Sequence, residues 1–288
     1  MLHEITRTQT HNRPRRAWAL GLLAAALLLT GCESQADKDK KAADAAYREK
    51  LAKAQAIFAE RCKTAGVVIK RTVKDVEGIE LKKVRPELAY ADKRYFDPMF
   101  DGAAMAGEVT GDRYVWHFLA SEYRNVHSPE QRGQLGPPST KLGHNQAPPT
   151  EGYRYVEFMD ETSGKRQRCE RPSNPDPKHF EDFMHCKQVQ ASSTRYALDY
   201  EDLVDPADRA YWVAGTKLRV IDKQADQVIA ELTRYVIDPG FGVSSTGRWP
   251  WSHATIRRDQ VCPSNVNVPL HTDSRYFVDT VLIPKQGD

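Results

Sequence analysis

The chain has 288 residues, with 42 Lys and Arg against 39 Asp and Glu, a formal net charge of +3 and 40% hydrophobic residues. The excess sits wholly in residues 1–31, where Arg7, Arg13, Arg15 and Arg16 face only Glu4, so residues 32–288 balance. Neither nucleic-acid binding nor a polybasic membrane surface follows from that balance, while the 257 residues after position 31 can bury a substantial core.

The first element is a leader. Arg13, Arg15 and Arg16 precede an uncharged Leu- and Ala-rich run, Ala17 to Thr30, which ends in small residues. The run is short of the roughly 20 apolar residues that a helix needs to cross a bilayer core. It therefore reads as the apolar region of a signal peptide. Arg15-Arg16 hints at twin-arginine export, but the flanking residues fit general secretion better.

The leader closes on Leu29-Thr30-Gly31-Cys32. This sequence resembles the lipobox of bacterial lipoproteins. The resemblance implies cleavage after residue 31, lipid on Cys32, and attachment to the membrane through acyl chains, each buried methylene contributing about 0.8 kcal/mol. With Glu33 rather than Asp after the cysteine, it further implies the periplasmic face of the outer membrane, with the inner membrane as the alternative. The domain plan expected is a signal peptide over 1–31, a lipidated stalk over 32–46 and a single domain over 47–288.

From Asp37 to Ala65, Tyr47, Leu51, Ala54, Phe58 and Cys62 recur every three or four residues, which predicts an amphipathic helix stopped by Gly66. Its early turns are charged and read as the stalk; its last turns read as the part that docks. Beyond Gly66, Val67–Val73 and Gly78–Val84 read as strands forming a hairpin or lying side by side. Arg113–Leu119 and Tyr153–Phe158 are rich in aromatics and read as further strands, which makes His117 a structural histidine within one of them. Residues 133–152 hold Pro137, Pro138, Pro148 and Pro149 without periodicity and read as a long loop.

Four cysteines follow Cys32: Cys62, Cys169, Cys186 and Cys262. An even number suits an oxidising compartment. Three pairings are possible. The short Pro-rich loop between them favours Cys169–Cys186, worth about 3 kcal/mol by chain entropy, and leaves Cys62–Cys262 to tie the helix to the last quarter of the chain. A metal site at His179, His185 and Cys186 is the competing reading, but no CxxC or HExxH spacing supports it. No metal or cofactor is expected.

Lys217–Asp222 and Gln227–Ile237 flank a four-residue connection and form the clearest hairpin. The glycines at 240, 242 and 247 lack the Lys-Ser or Lys-Thr of a phosphate loop, and Ser244 lies in no nucleophile elbow, so a Gly-rich turn is the plain reading. Arg248, Trp249, Trp251 and His253 are the best candidates for ligand or partner contact, since Trp and Arg dominate protein hot spots and indoles stack on sugars. The competing reading buries at least one of the two indoles. Tyr276–Ile283 reads as a closing strand ended by Pro284.

The expected fold is α+β: an N-terminal amphipathic helix and a mostly antiparallel β domain with long loops, braced by disulfides. No sequence motif carries catalysis. Scattered histidines at 117, 127, 144, 179, 185, 253 and 271, and carboxylates such as Asp199, Glu201 and Asp202, do not define a triad. The function expected is non-enzymatic binding of a protein or other component of the envelope by a lipid-tethered protein. A sharper form is immunity against a toxin that acts in the periplasm. The alternative is an envelope hydrolase with a His and a carboxylate converging beside Trp249 and Trp251.

Overall fold

The computed structural model describes residues 34–89, 92–120, 122–123, 134–135, 152–171, 184–244, 247–263 and 273–286. Cys32, the leader and nearly all of the 133–152 loop lie outside them, as do His127, His144, His179 and His271. The chain divides into two units, one ending at Glu49 and one beginning at Lys50.

Helix α1 (Gln35–Cys62) begins at Ser34, whose Oγ accepts from the Asp37 N–H at 3.1 Å and satisfies one of the open donors of the first turn. In the first unit its residues are exposed on every side. In the second unit Ala54 is fully buried, and Ile57 and Phe58 pack on Val213 and Ile237. Arg61 bonds Asp208 at 2.7 Å and Asp205 at 3.1 Å, and Cys62 joins Cys262.

A sheet of nine strands fills the second unit. In chain order these are β1 (Gly66–Ile69), β3 (Gly78–Leu81), β6 (Tyr155–Asp160), β7 (Lys165–Glu170), β8 (His185–Gln188), β9 (Tyr196–Leu203), β10 (Val213–Asp222), β11 (Gln227–Ile237) and β12 (Val261–Cys262). The spatial order is β1-β11-β10-β9-β3-β6-β7-β8, with β12 beside β11. Neighbours run antiparallel except around β3, which is parallel to both β6 and β9. The fold is thus α+β with a mostly antiparallel, mixed sheet. Strand β2 (Val73–Val76) pairs with β13 (Leu282–Pro284), and β4 (Glu122–Tyr123) with β5 (Gln134–Leu135), each pair apart from the large sheet.

The hairpin of β10 and β11 forms as its sequence predicts. The two strand-like runs after Gly66 do not pair: β1 takes the edge beside β11, while β3 lies in the middle of the sheet. Local pattern could not choose between these places, because strand neighbours are settled by long-range packing. Cys169 and Cys186 face each other across β7 and β8, with Cα atoms 4.0 Å apart, and form the second disulfide.

Two further runs read as strands are helices. Helix α2 (Gly111–Leu119) follows Gly111, whose φ of +58° suits a residue without a side chain. Tyr114, Val115, Phe118 and Leu119 fall on one helical face and are buried, so helical spacing wins over aromatic strand propensity. His117 is therefore a buried helical residue, not a strand residue. Of Tyr276–Ile283, all but the end belongs to helix α5 (Asp273–Val281), where Ser274, Phe277, Val278 and Val281 bury one stripe. A fully buried Arg275–Asp279 pair at 2.8 Å spans one turn of α5, a spacing that only a helix brings together. Two short helices are also present among the described residues, α3 (Pro206–Arg209) and α4 (Pro250–Ile256).

One face of the sheet carries the main core. Ile79, Leu81, Val156, Leu198, Leu218 and Val220 pack with Phe118 of α2 and Phe277 and Val278 of α5. Truncating any one of these fully buried side chains to Ala would destabilise by about 2–5 kcal/mol. A second, aromatic cluster joins Tyr95, Trp212 and Trp251.

Candidate functional site

The four residues 248–253 that sequence favours for contact do not form one surface. The Trp251 side chain is fully buried, stacks on Trp212 at 4.9 Å and donates its indole N–H to the Asp97 carbonyl at 2.8 Å. Trp249, half-buried, stacks on Tyr95 at 6.1 Å. Arg248 binds the buried carboxylate of Asp238, which also accepts from the N–H groups of Gly240 and Gly242 at 3.0 and 3.3 Å. This ties the Gly-rich segment into a turn. Gly242 is required there, since its φ is +76° and a Cβ would lie 2.2 Å from the Trp212 ring. Of the four, only His253 is exposed. The segment is mainly an aromatic plug and its brace, and Ser244 donates to the Arg248 carbonyl at 3.2 Å within the same turn.

The described residues place a cleft of about 420 Å³ elsewhere. One wall comes from the chain leaving β3 (Lys83, Arg85), another from β9 (Tyr200, Glu201, Asp202), and the third from a 3-10 helix, Asp101–Met105, with the residues that follow it, including Glu108. The alternation of β9 explains part of this arrangement. Tyr196 and Leu198 point to the core, Tyr200 of the same parity reaches the cleft, and Asp202 lies at the strand's end.

Arg85 organises the site. It is buried, donates to Glu108 at 3.3 Å and to Asp202 at 3.2 Å, and stacks over the Tyr200 ring at 4.0 Å. Its Nη2 is buried without a hydrogen-bond partner among the described residues. Burial opposes its charge, but Asp202 and Glu108 outweigh that penalty, so the guanidinium is held above its ordinary value and stays charged. Glu108 accepts from the Ser274 N–H and hydroxyl, both at 2.8 Å, and so caps the start of α5. Burial nevertheless pushes its carboxyl up, with Arg85 and Ser274 only partly offsetting. Burial also raises the Tyr200 phenol to about 12, keeping it protonated at neutral pH.

The other cations of the cleft are also engaged inside the protein. Lys83 donates to the Tyr200 carbonyl at 2.8 Å, and Arg94 forms a two-pronged pair with Asp92 at 2.9 and 3.0 Å. The walls are therefore held in place before any ligand arrives, with Phe100 and Tyr200 as aromatic surfaces and Asp101 and Glu201 as acidic ones. That arrangement can receive polar and aromatic groups by shape and hydrogen bonding. Among the described residues lining it there is no histidine, and neither Trp249 nor Trp251 reaches it. His117, buried in α2, and the exposed His185 and His253 belong to other elements. Cys186, one member of the alternative metal set, is in a disulfide.

Sequence reasoning singled out Glu201 and Asp202 but missed Arg85, Glu108 and Tyr200. Nothing in Val84-Arg85-Pro86 distinguishes Arg85 from its basic neighbours Lys82 and Lys83. Its partners stand 23 and 117 residues away, so only the fold selects it.

Among the described residues no helix is long and apolar enough to cross a membrane. Compared with protein-family models, with curated proteins and with solved structures, the chain has no match in any of the three.

Proposed function

We propose that this chain is a lipid-anchored periplasmic protein, held through Cys32 on the periplasmic face of the outer membrane, that binds a protein partner of the envelope and performs no turnover of its own. The observation that carries the binding role is the cleft around Arg85, whose charged side chains are fixed by internal partners and whose walls expose aromatic and acidic groups. Such a preorganised surface spends little of its binding free energy on ordering. The address is supported by the lipobox-like Leu29-Thr30-Gly31-Cys32 and by the two disulfides. The N-terminal turns of α1, charged and exposed on every side, support a solvated stalk and present no apolar face of their own. In its sharpest form the bound partner is a toxin acting in the periplasm.

The address is tested by metabolic labelling with palmitate. The protein takes up label and sediments with membranes, and Cys32→Ser does neither; equal labelling of that variant would refute it. For the binding role, a photo-crosslinker placed at Glu201, on the cleft rim, should trap one protein in intact cells. Trapping none, in cells producing labelled and correctly sorted protein, would overturn the role. For the immunity form, cells lacking the protein should lose viability beside a toxin-delivering neighbour.

A further inference from the structure

The face of the sheet away from the main core holds a lattice of charge that the cleft does not use. Register explains it. Ile79 and Leu81 bury on one face, so Glu80 between them points to the other; Glu157 on β6 is its direct neighbour, and Arg168 on β7 lies opposite Glu157. Glu80 binds Arg166 at 2.7 Å, binds Lys223, and has Lys82 at 3.7 Å. Glu157 binds Arg168 at 2.6 Å and the Ser193 hydroxyl at 3.0 Å. Asp222, at the end of β10, lies opposite Tyr196 and shares the core-face parity of Leu218 and Val220, so its pairs with Arg195 at 2.8 Å and with Arg71 do not belong to this lattice.

The two signs are not buried alike. The Glu80 and Glu157 side chains are at most 4% exposed, whereas Lys82 is 42% exposed and Arg166, Arg168 and Lys223 are 20–22% exposed. These four cations thus face two carboxylates, and the carboxylates lie underneath. The other ion pairs on this face, Arg219 and Lys217 with Glu201 and Glu231, Lys83 with Asp199, and Lys187 with Glu170, are balanced and leave the excess standing. Residues 32–288 as a whole are neutral, so this is segregation of charge onto one face and not general basicity.

We infer that this outer sheet face is a docking surface for an acidic segment or face of a protein partner. Two features favour protein over lipid. The guanidinium groups are held in fixed positions by hydrogen bonds on a strand scaffold, and Arg so held recognises carboxylates two-pronged. The patch itself carries cations and the hydroxyls of Ser192, Ser193 and Thr194, and beside them Met159, exposed opposite Arg166, is a lone apolar side chain and not the apolar cluster that inserts between acyl chains. The inference rests on the proposed binding role but places a contact centred on Glu80 and Glu157, on the sheet face that adjoins the cleft at Lys83 and Glu201.

The test uses the full chain in detergent and a fluorescent poly-L-glutamate peptide as probe, read by anisotropy at low and at physiological salt. Binding should be salt-sensitive, and Lys82→Gln with Arg166→Gln should weaken it about fivefold. That pair of substitutions leaves each buried carboxylate at least one cation, so an unchanged thermal transition is expected alongside. Lys63→Gln, an exposed lysine on another element, should leave binding as it is. Equal binding by the double variant, an equal loss with Lys63→Gln, or capture only by mixed micelles containing phosphatidylglycerol would each overturn the inference. None of these readouts depends on lipid at Cys32 or on the crosslink at Glu201, so failure here is distinguishable from failure of the proposed function.

Discussion

The cleft and the outer sheet face are both built from ion pairs, yet they treat their carboxylates in opposite ways. In the cleft, both members of the Arg85–Glu108 pair are buried, at 5% and 2% exposed, and burial drives the Glu108 carboxyl up. On the outer face only the carboxylates are buried. Burial again works against Glu80 and Glu157, but donors win: Lys223 and Arg166 for the first, the paired serines and Arg168 for the second, so both are held below the ordinary value. Asp222 is lowered chiefly by its hydrogen bonds from Arg195. Glu108 and Glu80 each accept three hydrogen bonds, so the lesson is that the balance of burial against the neighbouring cations, and not the number of donors, decides the state of a buried acid.

The largest expected effect separates the two regions by removing a cation from each. Arg85→Met strands Glu108 and Asp202 and should destabilise by about 3–5 kcal/mol in urea unfolding, since breaking a buried pair leaves an uncompensated charge. On the outer face Lys82→Gln leaves Glu80 paired with Arg166 and Lys223 and should cost no more than about 1 kcal/mol. Similar losses in the two variants would erase the contrast.

Next in size is the disulfide that ties α1 to β12. Cys62→Ser with Cys262→Ser should lower stability by about 2–5 kcal/mol, seen as an earlier urea midpoint. The outer face, remote in sequence from that tie, should retain its salt-sensitive probe binding below the new transition.

The pH dependence sharpens the comparison because the signs differ. For Glu80, Glu157 and Asp222 the folded values lie below the ordinary 4.5 and 3.8, so their stabilisation is present above about pH 5 and is lost as pH falls through the folded values. For Glu108 the folded value is raised, so its contribution is present below the ordinary 4.5 and is lost as pH rises through the folded value. Urea unfolding across a pH series should show the wild type losing stability into acid. Glu108→Gln should gain on the wild type as pH rises from 4 toward 7. A constant difference between the two proteins would refute the assignment.

The smallest effect concerns the residue left exposed by the aromatic plug. His253→Ala should change stability by less than about 0.5 kcal/mol, whereas Trp251→Ala, which opens the stack on Trp212, should cost about 3–5 kcal/mol by the same denaturation measurement.

Much of the second unit could be read before folding. The β10–β11 hairpin, the helix ending at Cys62 and the strand at Tyr155–Asp160 announce themselves by local period, and short loop length favoured the Cys169–Cys186 bridge. Strands β7, β8 and β9 were passed over because charged and polar residues alternate through them. That alternation is the outer-face lattice, in which Arg168 lies opposite the buried Glu157 and Arg166 reaches the buried Glu80. The runs at 113–119 and 276–283 failed for another reason. An apolar stretch of about eight residues fits either period, and only the buried stripe on the main core selects the helix.

By itself the sequence determined the lipobox-like leader, the charge balance of residues 32–288, the cysteine count and the elements whose period is unambiguous, because each depends on neighbours a few residues apart. Tertiary structure alone decided the rest. It placed β3 between two parallel partners, turned Trp251 from a surface candidate into core, and brought Arg85 to Glu108 and Asp202. It also segregated cations above buried carboxylates on one sheet face. Those outcomes depend on pairings tens to more than a hundred residues apart, where burial and hydrogen-bond satisfaction choose among sites that local pattern leaves equivalent.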